Sequence, residues 1–299
     1  MVVPRTDQRG GMQLKVQPTG QACGAHVTGI DLKTDLDASL AAEIRAIWLE
    51  HHVLAFPGQF LDDDELERFT LHFGSFGEDP FFAPIAGRQH IAAIRREADE
   101  QSPLFAENWH ADWSFQARPP AGTCLNAIAI PPHGGDTLFA NQHLAWEALP
   151  PDRQALYADL IAIHSARIPY APDGTYGARD QGRSMDIRPS EAALATQSHP
   201  LVPAHPETGR RGFYSTVGYV VGIEGMDHHE AMALLLDLAA WQGDSRFVYR
   251  HRWEPGMLVM WDNRSVLHKA TGGYEGHRRE LHRTTIAAWD GATWGSQVA

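Results

Sequence analysis

The spacing of apolar positions divides the chain into many short elements. Residues 12–17 and 25–30 read as short strands. Behind a capping Asp37, Leu40, Ile44, Ile47 and His51 fall at helical spacing. Residues 53–56 are a short apolar strand stopped by Pro57-Gly58. A second helix starts at Asp63 or Asp64, turns Leu66, Phe69 and Phe73 inward, and stops at Gly74. Its acidic start, residues 62–65, is read as favourable charge at a helix N-terminus, not as a cation site. Strands are predicted over 90–94, 123–130, 138–140 and 161–166, with helices from Asn141 to Leu149 and from Asp152 to Leu160. Residues 170–190 are irregular and dense in Gly, Pro, Asp and Arg, the pattern of a lid, a binding loop or a disordered segment. Further strands are predicted over 201–204 and 213–216, joined by the turn Pro206-Glu207-Thr208-Gly209. Asp227 and Glu230 form a capping-box pattern for a helix over 227–241. Alternation then marks strands over 247–253, 257–261 and 279–288.

Many short strands with helices gathered early or inserted between them predict a mainly β, α+β fold: a jelly roll with flanking helices. A parallel βαβ arrangement would need regular alternation, which the end of the chain lacks. Residues 1–11 are polar and read as a disordered lead-in; with no repeat or linker, 12–299 read as a single domain.

Composition narrows the partners. The 299 residues are 43% hydrophobic and 21% charged, with a formal net charge of −12, so a broad nucleic-acid footprint is not expected. Two cysteines, Cys23 and Cys124, make no disulfide framework and fit a cytoplasmic protein. No apolar run approaches the ~18 residues of a membrane span. A homo-oligomer is left open.

The candidate chemistry centres on Asn108-Trp109-His110-Ala111-Asp112-Trp113. On an extended strand His110 and Asp112 share one side. With one more histidine they would form the 2-His-1-carboxylate arrangement that holds non-haem Fe(II) and leaves positions open. The candidate third ligand is His268. The competing reading is a surface or hydrogen-bonded pair, easily met in a chain with 17 histidines. In the last strand Arg279, Leu281 and Arg283 share one face, and Arg278, Glu280 and His282 the other. If the Arg279 face is inward, two guanidiniums need anions, and a small dicarboxylate would serve. Alternatively, one arginine is solvated and the other pairs with an internal Asp. His164, His205, His251 and His282 are read as packed or supporting residues, and His228 and His229 as solvated. Gly134-Gly135 lacks the Lys-Ser/Thr of a phosphate loop.

These motifs, with Gly134-Gly135-Asp136-Thr137 and Trp261-Asp262-Asn263-Arg264, resemble the Fe(II)/2-oxoglutarate-dependent dioxygenases of the taurine dioxygenase and 2,4-dichlorophenoxyacetate dioxygenase family. The resemblance runs from about Met12 to Trp289 and implies a double-stranded β-helix. It implies iron ligation by His110, Asp112 and His268. It also implies 2-oxoglutarate anchored by Arg279 with Thr137, and Arg283 near both the co-substrate and the substrate's anionic group. O2 would complete the set, with succinate and CO2 released as a substrate C–H is oxidised. Phe82, Trp113, Tyr170 and Tyr219 match the family's substrate pocket, although strict alternation from Asp112 points Trp113 away from the metal. Two residues that grip taurine's sulfonate correspond to about Asp79 and to Ala106, which argues against taurine. The expected substrate is a small to medium organic acid with a hydrophobic or aromatic body. The alternatives are a larger neutral or amide-linked substrate, a non-enzymatic jelly-roll metal-binding protein, and a zinc-dependent hydrolase.

Overall fold

A seven-stranded sheet carries the molecule on two dissimilar faces. In the computed structural model, which describes residues 14–288, the strands are β1 (Lys15–Pro18), β2 (Ala25–Thr28), β3 (Val53–Phe56), β4 (Ala92–Arg96), β5 (Gly122–Ala129), β6 (Thr137–Asn141), β7 (Ile161–Ser165), β8 (Thr196–Pro200), β9 (Val220–Ile223), β10 (Val248–His251), β11 (Leu258–Asp262), β12 (Val266–Ala270) and β13 (Arg279–Ile286). The helices are α1 (Ala38–His51), α2 (Asp63–Leu71), α3 (Gln142–Glu147), α4 (Pro151–Tyr157), α5 (Arg167–Tyr170) and α6 (His228–Gln242). The large sheet runs β1-β2-β3-β11-β5-β13-β4, and two three-stranded sheets run β10-β6-β12 and β8-β7-β9. Every pairing is antiparallel except β2 with β3. The architecture is α+β, with mixed sheets and few helices.

Period-two alternation explains the two faces. Leu54, Phe56, Leu258 and Met260 turn to one side and pack with Ile44 and Trp48 of α1 and Leu66 and Phe69 of α2. Val53, Leu125, Val259, Trp261 and Leu281 turn to the other and pack with Phe139 of β6 and Val266 of β12. Strands buried on both sides read as continuous apolar runs, as β3 and β11 do. Each such Val, Leu or Phe contributes about 1.5–3 kcal/mol on burial.

The helix starts follow their caps. Asp37 accepts from the Leu40 amide, and Asp62 with Glu65 makes a reciprocal capping box. The second helix therefore begins one residue after Asp62 and is capped at His72, before Gly74. The acids at its start act as caps and partners: Asp63 accepts from His282 at 2.6 Å.

Three sequence expectations need correction. Residues 108–113 are not a strand: His110 forms a single bridge with His268, and the chain turns from Asp112 onward. Residues 201–204 and 213–216 are not strands either; only Ala204 and Arg211 bridge there. Strand β7 pairs with β8 and β9. The proposed lead-in 1–11, residues 12 and 13, and the chain beyond 288 lie outside the described residues. Among the described residues no helix is long and apolar enough to cross a membrane.

The turn between β11 and β12 is fixed by charge. Buried Asp262 accepts from Arg264 at 2.8 and 2.7 Å and pairs with His205 at 3.0 Å. Arg264 reaches on to Glu207, which also holds Arg45. This network sets the entry of β12, and so the position of His268.

Candidate functional site

Three side chains from two separate stretches meet in the space between the sheets. His110 and His268 are held side by side by backbone bonds in both directions, 3.1 and 2.9 Å long, and their rings lie 4.2 Å apart. Asp112 Oδ1 lies 3.7 Å from His110 Nε2 and 3.6 Å from His268 Nε2, too far for hydrogen bonds. One ligand atom from each residue lies within 4.8 Å of the others, the arrangement of a metal site.

Neighbouring groups fix the donors. His110 Nδ1–H donates to the Asn108 carbonyl at 2.9 Å, which leaves the Nε2 lone pair for a metal. Burial lowers the pKa of both imidazoles, and that of His268 falls to about 3, with His110 beside it adding to the effect. Both rings are therefore neutral, as ligation requires. Burial alone would raise the Asp112 carboxyl, but the Arg283 charge and the Thr123 hydrogen bond act against it, and it lies below its usual range.

Asp112 is aimed by a buried relay. Trp261 Nε1–H donates to Asn263 Oδ1 at 2.9 Å, and Asn263 Nδ2–H donates to Thr123 Oγ1 at 2.9 Å. The Thr123 hydroxyl donates to Asp112 Oδ2 at 2.6 Å. With Oδ2 occupied, Oδ1 faces the histidines. Trp261 and Asn263 stand in a motif the sequence displays, whereas nothing in the sequence marks Thr123.

The last strand turns Arg279, Leu281 and Arg283 toward the same cavity as His110, Asp112 and His268. Its other face meets α2, where Thr284 bonds Thr70 and His282 bonds Asp63. The inward reading of Arg279 is thus the one the fold adopts. Arg279 is 6% exposed and donates to the Gly135 carbonyl at 3.1 Å, while its Nε has no partner. Among the described residues no carboxylate lies within ion-pair distance of it; burial lowers its pKa, and Tyr274 and Asp136 oppose that only partly. Gly135 is needed here. It has φ +68°, and a Cβ would lie 2.9 Å from Arg279 Nε. Thr137 lines the same cavity, and its Oγ1 accepts from Trp253 Nε1–H at 3.0 Å, so its own hydrogen remains for an anion.

Arg283 differs. Its Nη2 donates to Asp79 at 2.9 Å, and its guanidinium carbon lies 4.7 Å from the Phe82 ring centre and 5.0 Å from that of Trp113. Trp113 Nε1–H donates to the same Asp79 oxygen. Phe82, Trp113, Tyr170 and Tyr219 do come together in one aromatic cluster. They divide in role. Phe82 and Trp113 do not line the ligand cavity but hold Arg283 from behind, whereas Tyr170 and Tyr219 line an adjoining hollow that shares Phe105, Ala106 and His110 with it. Trp113 has φ +50°, in the turn, which removes the conflict with strand alternation.

After α5, residues 171–190 run mostly as turns and bends, with one bridge from Ile187 to Phe82, and Arg183 and Met185, residues without a signal in the sequence, contribute to the cavity. Arg183 pairs with Asp180 at 2.5 Å and lies 3.9 Å from Glu100, both buried.

Two neutral imidazoles and one carboxylate, with open sides, suit Fe(II). A buried guanidinium without an acid suits a carboxylate ligand. The donor set and the orphaned cation therefore fit a metal and a dicarboxylate.

The comparisons with known proteins agree. Residues 15–285 match the family described as "Taurine catabolism dioxygenase TauD, TfdA family". The chain is 35% identical over 269 residues to an (S)-phenoxypropionate/alpha-ketoglutarate-dioxygenase of Delftia acidovorans, covering 86% of this chain and 89% of the relative. It is 33% identical over 290 residues to an alpha-ketoglutarate-dependent 2,4-dichlorophenoxyacetate dioxygenase of Cupriavidus pinatubonensis, covering 92% and 98%. The crystal structure of a taurine dioxygenase from Burkholderia xenovorans superposes with a TM-score of 0.77 at 30% identity, over 92% of this chain and 90% of that one. The chain belongs to the TauD/TfdA family and is a 2-oxoglutarate-dependent dioxygenase, with Fe(II), 2-oxoglutarate and O2 as its cofactor set.

Proposed function

We propose that this enzyme oxidises a C–H bond of a small to medium organic acid with a hydrophobic or aromatic body, of the aryloxyalkanoate type. In the balanced reaction, substrate, 2-oxoglutarate and O2 give hydroxylated substrate, succinate and CO2. His110, Asp112 and His268 hold Fe(II), and Arg279 with Thr137 takes the distal carboxylate of 2-oxoglutarate. When bound, the iron supplies the O2 chemistry that couples decarboxylation to C–H oxidation.

The observation that carries this reading is Arg279: a buried cation lacking an acid, in one cavity with the three ligands. Tyr170 and Tyr219, with Phe105 and Tyr176, give the adjoining hollow a flat, mostly apolar wall suited to an aromatic body. The names of the two relatives, both dioxygenases of phenoxyalkanoates, support the class. Arg283 faces the cavity beside the ligands and offers a cation to the substrate's acid group. We read the large sheet and the facing β10-β6-β12 sheet as a double-stranded β-helix, and 12–299 as a single domain. Residues 170–190 act as a lid that excludes water.

A second reading has one observation in its favour: the Asp79–Arg283 pair offsets the charge that would select an acid. That substrate would be a larger neutral or amide-linked molecule. Succinate formation with phenoxyacetate and with its methyl ester separates the two. The expected result is stimulation by the acid and not the ester, and loss of that preference in Arg283→Ala. Equal stimulation by acid and ester in the unaltered enzyme would overturn the acid reading.

A further inference from the structure

Asp79 lies in the loop before β4, far in sequence from the ligands, yet one of its oxygens takes two donors that bear on the cavity. Arg283 Nη2 donates at 2.9 Å, and Trp113 Nε1–H donates to the same oxygen. The guanidinium carbon also lies 4.7 Å from the Phe82 ring centre and 5.0 Å from that of Trp113, so both rings back it. Its Nε is buried and has no partner. The side chain of Arg283 is 5% exposed and that of Asp79 17%. Arg283 therefore reaches the cavity with its orientation locked, part of its donor set still open, and its charge offset by a neighbouring carboxylate.

We propose that Asp79 is a specificity-determining residue that restrains the substrate-binding strength of Arg283, so that the cavity takes a monoanionic acid only when its apolar body also fits. The inference rests on the reading that the substrate's acid group faces Arg283. Arg279 has no such counter-charge, so the two arginines divide the work by charge: a full cation for the co-substrate and an offset one for the substrate. A carboxylate bonded to the same guanidinium repels an incoming anion at short range, in a site where screening by water is weak. Acid binding that depends on shape as well as charge also disfavours a second molecule of 2-oxoglutarate at the substrate position.

Asp79→Asn keeps an oxygen acceptor for Arg283 and Trp113 and removes the charge. Asp79→Ala removes both. Dissociation constants for phenoxyacetate and its methyl ester are measured by calorimetry on protein loaded with Mn(II) and 2-oxoglutarate. In Asp79→Asn the acid is expected to bind about tenfold tighter or more, with the ester little changed. In Asp79→Ala the gain is expected to be smaller, because the guanidinium loses its anchor. Acid affinity that is unchanged or weaker in Asp79→Asn would overturn the proposal. Should the unaltered protein bind acid and ester equally, the acid reading itself fails. If that protein does prefer the acid but Asp79→Asn leaves the preference unchanged, only the role of Asp79 fails.

Discussion

Replacing Thr123 by Val leaves the three ligands in place and removes the hydroxyl that aims one of them. The side chain is nearly isosteric and the site is fully buried. Two groups lose their partner: Asp112 Oδ2, which accepts from Thr123 at 2.6 Å, and Asn263 Nδ2–H, which donates to it at 2.9 Å. Leaving such buried groups unpaired costs about 1–3 kcal/mol of stability. The effect on the metal is more specific. Loss of a partner that orients a ligand lowers metal affinity by roughly 10–100-fold, or about 1.4–2.8 kcal/mol. The assay is calorimetric titration of Mn(II) into the metal-free protein, beside circular dichroism to establish folding. Thr123→Val is expected to fold and bind Mn(II) at least tenfold more weakly. Thr123→Ser, which restores the hydroxyl, is expected to recover most of that loss. Asp112→Ala, which removes the ligand, sets the lower limit. Mn(II) affinity in Thr123→Val equal to that of the unaltered protein would refute the relay.

Gly135→Ala places a methyl group 2.9 Å from Arg279 Nε at φ +68°, and is expected to raise the 2-oxoglutarate KM about tenfold or more; an unchanged KM would show that Arg279 is not held there. Burial, with His143, His199 and His26 respectively adding to it, lowers His52, His164 and His251 to about 3. These rings stay neutral in the fold but take protons in the unfolded chain below about 6.5, so stability is lost as pH falls from 6.5 toward 3. The three together give a slope of at most about 4 kcal/mol per pH unit, and urea midpoints at pH 7 and 5.5 should differ clearly; equal midpoints would contradict it. Hydrogen exchange over residues 171–190 should slow when Mn(II), 2-oxoglutarate and phenoxyacetate are added, while β11 is unaffected; identical exchange with and without ligands would remove the lid role.

The convergence of the candidate ligands was legible because the residue types are few and chemically distinctive. His110, Asp112, His268 and the Arg279 face all meet at one cavity. The local geometry was less legible. Alternation predicts a strand through Asp112, but one bridge to His268 is enough to place His110, and the turn then swings Asp112 inward. Strand β8, Thr-Gln-Ser-His-Pro, is polar and reads as a loop; its pairing with β7 supplies what its own pattern does not. Thr123 gave no signal because a hydroxyl acquires its role from partners elsewhere, here Asn263, 140 residues away; Asp79 stood out only by its place in the family resemblance, and its bond to Arg283, 204 residues away, was not legible. Phe82 and Trp113 were expected to line the substrate pocket, but the structure sets them against Arg283 outside both hollows, a position that depends on Asp79.

On the proposed reading, the uncompensated Arg279 guanidinium selects the distal carboxylate of 2-oxoglutarate beside the metal. Its direct test is calorimetric titration of Mn(II)-loaded protein with 2-oxoglutarate and with its 5-methyl ester, repeated in Arg279→Met. The unaltered protein is expected to bind the diacid at least a hundredfold more tightly than the ester, as loss of a buried charge-assisted bidentate contact implies, and Arg279→Met is expected to bind the two alike and weakly. Equal binding of diacid and ester by the unaltered protein would contradict the account.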